Sequence, residues 1–128
     1  MSLGVPSLMT ICEVAAFASD ARQVFTEDEH ERLILFLASY PTAGDVITET
    51  GGLRKLRWPA RGQGKRGGAR IIYYFRDAYM PLYLLAVYTK GEKIDLTHVE
   101  KKAMRGMVEA LVKASKERRF WIIAKGAN

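Results

Sequence analysis

Hydrophobic and polar positions along the chain follow two periods. The helical period is clearest after Thr26, where Leu33, Ile34, Phe36, Leu37 and Tyr40 form one wide apolar stripe. Thr26-Glu27-Asp28-Glu29 marks its start as a capping box, in which the threonine hydroxyl accepts from a first-turn N–H and Glu29 reaches back. Three acids in that turn suit the positive end of the helix dipole, and Pro41 ends the segment. The stripe predicts packing on a sheet. A second capping box, Thr97-His98-Val99-Glu100, opens a closing helix. Its apolar positions are Met104, Met107, Val108, Leu111 and Val112, with Lys101, Lys102 and Arg105 on the polar side. Phe120-Trp121-Ile122-Ile123 is a late apolar patch that either docks on the domain or meets a partner.

Elsewhere the pattern is that of strands. Leu53–Trp58 reads as a short strand closed by Pro59, Ala69–Phe75 as a β-branched and aromatic strand, and Leu82–Tyr88 as a third. Residues 61–68, Arg-Gly-Gln-Gly-Lys-Arg-Gly-Gly, form a flexible basic hairpin loop, and 77–81 the next turn. Local connections favour an antiparallel meander. Met9–Phe17 alternates loosely and carries Thr10, Ile11 and Val14, which predicts a first strand, while 41–52 reads as loop. The expected class is α+β, a small mainly antiparallel sheet packed with an N-terminal and a C-terminal helix.

At 128 residues the chain fits one domain spanning 1–128, and its 48% hydrophobic and 27% charged residues exclude wholesale disorder and fibrous architectures. A single cysteine, Cys12, rules out an internal disulfide framework or a cysteine zinc cluster, and a reducing cytoplasm is the expected home. The longest apolar runs, 33–38 and 81–87, fall far short of the ~20 residues of a membrane helix, so no membrane partner is expected. Residues 1–8 lack the charged start and apolar stretch of a secretory leader and are set apart from the fold argument.

Charge changes the picture more than composition does. The net charge is +6, yet residues 1–50 hold two bases against eight acids. Residues 51–76 carry Arg54, Lys55, Arg57, Arg61, Lys65, Arg66, Arg70 and Arg76 with no acid at all. Such a cluster repels itself, and a polyanion is its natural counterpart, because binding releases condensed counterions. A solvated basic face or an anionic-lipid contact is the plainer alternative. Aromatic and glycine residues interleaved with the charge favour nucleic acid.

Metal chemistry is not expected: His30 and His98 have no second ligand at metal spacing and read as surface residues of helix first turns. Gly62-Gln63-Gly64-Lys65-Arg66 has the wrong spacing for a P-loop and precedes a strand rather than a helix. As a basic loop it can instead lie along an RNA backbone, which makes Arg54, Arg61, Lys65, Arg66 and Tyr74 candidate RNA contacts. Lys55 and Arg57, two apart on a strand, project from one face beside the strand that bears Arg70. Converging cations of this kind can cleave RNA without metal or cofactor. The 2′-hydroxyl attacks the adjacent phosphate while the protein moves two protons and stabilises charge on a phosphorane. Arginine suits the charge, a lysine crowded by cations has its pKa pushed down toward proton-transfer range, and Tyr88 or Tyr74 can share the work. Basic residues at alternate strand positions can equally do no more than hold phosphates or keep an edge soluble.

The pattern Gly51-Gly52-Leu53-Arg54-Lys55-Leu56-Arg57-Trp58, then Gly64-Lys65-Arg66-Gly67-Gly68-Ala69-Arg70-Ile71-Ile72-Tyr73-Tyr74, resembles the RelE/HigB family of type II toxins. Tyr83-Leu84-Leu85, Tyr88-Thr89-Lys90-Gly91-Glu92-Lys93-Ile94-Asp95-Leu96-Thr97 and Glu100-Lys101-Lys102 resemble its last strand, turn and C-terminal helix, so the likeness spans roughly 9–112. The resemblance implies a microbial RNase-type fold that enters the A site of a bacterial ribosome, cuts mRNA there as a metal-independent endoribonuclease, and is held inactive by a cognate antitoxin. By position it implies a catalytic set of Lys55, Arg57, Arg70 and Tyr88, with Lys90 or Lys93 supplying a further cation. Gly91 departs from the polar or basic residue of relatives, and a C-terminal tyrosine of some members has no counterpart. A non-catalytic nucleic-acid-binding regulator and a ParE-like gyrase inhibitor are the alternatives on the same scaffold.

Overall fold

The structure is a computed structural model that describes residues 8–62, 68–93 and 95–126. The chain divides into two compact units, Met1–Asp95 and Leu96–Asn128. The first contains β1 (Ile11–Glu13), α1 (Ala15–Val24), α2 (Glu27–Ser39), β2 (Asp45–Val46), β3 (Leu53–Trp58), β4 (Ala69–Tyr74) and β5 (Leu82–Thr89). Five strands form one open sheet in the order β1-β5-β4-β3-β2. The meander β3-β4-β5 is antiparallel as its short connections predict, β2 adds an antiparallel edge from within the expected 41–52 loop, and β1 lies parallel to β5 at the other edge.

The expected first strand over Met9–Phe17 is corrected: only Ile11–Glu13 is extended, and the chain turns helical at Ala15. Ala15, Ala16, Ala18 and Ala21 are the strongest helix formers, and Phe17, Ala21 and Val24 recur on one face. The start signal is missing because Val14 at the N-cap has no side-chain acceptor. At α2 the capping box forms in full: Thr26 N–H donates to Glu29 Oε1 at 2.9 Å, and Glu29 N–H to Thr26 Oγ1 at 3.2 Å.

Both helices cover one face of the sheet. Phe17, Ala21, Phe25, Leu33 and Leu37 pack with Ile71, Tyr73, Leu84 and Val87 in a single buried cluster. Each large side chain fully removed from water contributes about 1.5–3 kcal/mol to that packing. Alternation along β5 is broken once. Ile72 pairs with Ala86 but Tyr73 with Leu84, so Leu85 is an extra residue, a bulge. It keeps both Leu84 and Val87 on the helix-covered face and sends Tyr88 to the opposite one.

The loop before β3 is tied from below. The buried Tyr73 hydroxyl accepts from Gly44 N–H at 2.8 Å and donates to Pro41 O at 2.9 Å. In the second unit, α3 (His98–Gly126) begins at the predicted capping box, with Thr97 N–H on Glu100 Oε1 at 2.9 Å and Glu100 N–H on Thr97 Oγ1 at 3.1 Å. Met107, assigned to its apolar stripe, is exposed, as is Val99. The side chains of the 120–123 patch lie outside the described residues. Among the described residues no helix is long and apolar enough to cross a membrane.

Candidate nucleic-acid interface

Strand register assembles the site. Arg57 on β3 is the Cα partner of Arg70 on β4, and Arg70 is the partner of Tyr88 on β5. Directly paired residues project to the same side, so these three form a row across the sheet on the face away from α1 and α2. Lys55 shares that face, two residues along β3 from Arg57 and about 6.6 Å away. Without the Leu85 bulge, simple alternation would align Tyr88 with Leu82 and Leu84 on the helix-covered side.

The row sets like charges opposite one another. Like charges directly opposite on neighbouring strands destabilise a sheet, and here two guanidinium groups are paired at a Cα separation of about 4.5–5.5 Å. Arg57 is exposed, whereas Arg70 is 8% exposed and Tyr88 2%. A phosphodiester has two non-bridging oxygens, and two guanidiniums side by side can share them. Lys93 stands over the Tyr88 ring with Nζ 5.4 Å from its centroid, which adds a second kind of cation to the same place. Lys90 is exposed in the turn after β5.

Sequence reasoning missed one carboxylate here. Lys55 Nζ lies 3.6 Å from Asp95 Oδ1, so the lysine is not crowded by cations alone. The signal was available in Glu92-Lys93-Ile94-Asp95, where two acids follow directly on the strand that ends in Tyr88 and Thr89.

The remaining candidates do not join the row. Arg54 projects to the helix-covered side with Tyr73, and its Nη1 donates to Gly44 O at 2.8 Å and Thr42 O at 3.2 Å, so it clamps the loop before β3. Arg61 reaches α1, with Nε donating to Gln23 O at 3.0 Å. Tyr74 shares the face of Arg70 but lies about 13 Å further along β4, paired with Leu53 and Tyr83. Lys65 and Arg66 lie outside the described residues.

The base of the basic hairpin is fixed by Glu29. Its carboxylate accepts Arg61 N–H at 2.8 Å and Gly62 N–H at 3.3 Å besides closing the capping box. Burial pushes the Glu29 carboxyl up, but the N–H groups of Thr26, Arg61 and Gly62 and the Thr26 hydroxyl outweigh it and hold the group below its ordinary value. Arg61 itself has φ of 49°, a left-handed conformation rare outside glycine.

His30 is corrected from a surface residue to a half-buried one. Its Nε2 lies 3.1 Å from Glu13 Oε1, and its ring stacks on Phe25 at 6.5 Å. The pair bridges β1 to α2. Among the described residues no group of three or more His, Cys, Asp or Glu side chains could hold a metal ion. No protein-family model matches the chain.

Proposed function

We propose that the protein is the toxin of a type II toxin-antitoxin module with a RelE/HigB-like fold, an endoribonuclease that cuts mRNA in the ribosomal A site. The observation that supports this reading best is the row Arg57, Arg70 and Tyr88, flanked by Lys55 and Lys93. Strand register sets two guanidinium-bearing residues side by side on one face, and a phosphodiester is the anion whose two non-bridging oxygens match such a pair.

The reaction runs through the RNA's own 2′-hydroxyl. A base on the protein removes its proton, the freed oxygen bonds to the adjacent phosphorus, and the bond to the 5′-oxygen breaks as an acid returns a proton to it. The products are a 2′,3′-cyclic phosphate and a 5′-hydroxyl. Arg57 and Arg70 each present fixed donors to the non-bridging oxygens as negative charge builds on the phosphorane. Lys55, Lys93 and Tyr88 are the groups on that face able to carry protons, and Asp95 holds Lys55 in place. Lys90, in the exposed turn, is a candidate for contact with flanking phosphate. The reaction takes place in the cytoplasm, and the antitoxin is an acidic or amphipathic segment that covers the positive face, so their complex weakens as salt rises.

The test is Arg70→Ala assayed for growth arrest on expression and for cuts within codons by primer extension on translated mRNA. Lost arrest and lost cuts, with near-UV circular dichroism unchanged, support the reading. Undiminished toxicity, or DNA breaks in place of message cuts, overturns it.

A further inference from the structure

On the helix-covered side of the sheet, beyond the end of β5, lies a cavity of about 550 Å³ lined by Asp20, Gln23, Arg61, Thr89 and Glu92. Val24 and Val87 give it an apolar wall. It is built from α1, the hairpin base and the turn after β5, and none of the residues proposed for phosphate chemistry lines it.

Its charged groups are arranged for a ligand rather than for one another. Arg61 is held through Nε to Gln23 O at 3.0 Å, which leaves both terminal guanidinium nitrogens available among the described residues. Glu92 spends Oε1 on Thr89, accepting its N–H at 3.2 Å and its hydroxyl at 3.0 Å, and keeps Oε2 free among the described residues. Asp20 makes no hydrogen bond or ion pair among the described residues. A guanidinium and two carboxylates therefore line one cavity without pairing together, so each retains its hydrogen-bonding capacity. The Glu29 carboxylate accepts Arg61 N–H at 2.8 Å and so fixes the backbone from which the guanidinium extends.

A matching ligand presents a flat apolar face, an edge of adjacent donors and an edge of adjacent acceptors. We infer that this cavity binds a guanine base: the N1–H and exocyclic amine donate to Glu92 and Asp20, and O6 and N7 accept from Arg61. Cytosine and adenine each offer one amine, and uracil one ring N–H, to two carboxylates, whereas guanine donates from two adjacent groups and accepts at O6 and N7. Tyr88 and Thr89 are adjacent on β5 and project to opposite faces, so the cavity opens beside the same sheet end as the cationic row. That the base comes from a nucleotide of bound message rests on the function proposed above; the chemistry of the cavity does not.

The experiment titrates the full chain calorimetrically with GMP, AMP, CMP and UMP, which holds the phosphate constant and varies the base. GMP is expected to bind at least ten-fold more tightly than the others, and the double variant D20N/E92Q to abolish the preference. Glu92→Gln keeps the acceptor used by Thr89 and converts the free oxygen into a donor, so the turn is preserved. Equal binding of all four nucleotides, or a preference that survives in the double variant, overturns the inference. A single-stranded RNA with one guanine, set against the same RNA with adenine in its place, distinguishes the source of the base: tighter binding of the guanine RNA assigns a message nucleotide, and equal binding of the two a free one. A chain that prefers GMP but leaves ribosome-bound message uncut overturns the toxin reading alone. One that cuts message without any base preference overturns the cavity assignment alone.

Discussion

Arg57 and Arg70 are Cα partners on adjacent antiparallel strands, so two permanently charged side chains leave the sheet together on one face. Like charges placed opposite one another on neighbouring strands carry a measurable cost. Replacing the exposed Arg57 by threonine, a better strand former, should raise unfolding free energy by about 0.2–1 kcal/mol while weakening RNA binding. Urea titration and filter binding on the same variant check both directions.

Gly44 has no room for a side chain. A Cβ there would lie 2.8 Å from the Tyr73 ring and 2.9 Å from the backbone oxygen of Lys55, which cannot swing aside. Gly44→Ala should therefore cost ~1–3 kcal/mol, and Tyr73→Phe, which leaves Gly44 N–H and Pro41 O without their partner, a similar amount. Because both act on one contact, the double variant should cost less than the two singles together. Denaturant midpoints of the three chains measure this.

Burial raises the Tyr73 hydroxyl above the ordinary tyrosine value, more than Gly44 N–H and Arg54 lower it. The folded chain therefore holds this proton more tightly than the unfolded chain does. Its contribution to stability is complete below a pH of about 10 and is lost as pH rises through the folded value. An alkaline stability profile that flattens in Tyr73→Phe is the expected result.

Glu29 runs the other way. Its folded pKa is depressed, so its contribution is present above the ordinary glutamic value of about 4.3 and is lost as pH falls through the folded one. The group is largely solvated, so the effect on global stability is small and weakened by salt. Hydrogen exchange at Thr26, Arg61 and Gly62 is the sharper probe: protection of these three amides should drop together in acid, and in Glu29→Gln at neutral pH.

Lys55 and Arg57 should each contribute to the salt dependence of single-stranded RNA binding. Removing either lowers the slope of log affinity against log salt by about 0.7, the value for one phosphate contact on a single strand. Arg54→Ala should leave that slope unchanged and destabilise the loop before β3 instead.

Local signals carried much of this architecture. Both capping boxes and the meander stand where hydroxyl spacing and hydrophobic period put them, because those features are decided within a few residues. The first helix was hidden because Val14 offers no capping oxygen. Alternation correctly set Lys55 and Arg57 on one face, but it could not assign Arg54 to a clamp, since Thr42 and Gly44 approach it only after the chain has folded back. Nor could it foresee the Leu85 bulge, which depends on the register of the neighbouring strand and decides which side of the sheet receives Tyr88.

Ile11 lies alongside Leu82, so one margin of the sheet is completed by the first described strand only after the last has been made. Ordering that pair closes nearly the whole first unit as a loop, an entropic cost that favours late docking during synthesis. Until β5 has been made, β1 has no neighbour to pair with in the sheet. One rim of the fold therefore depends on residues from opposite ends of the first unit, and trimming either end leaves the other with an open strand edge.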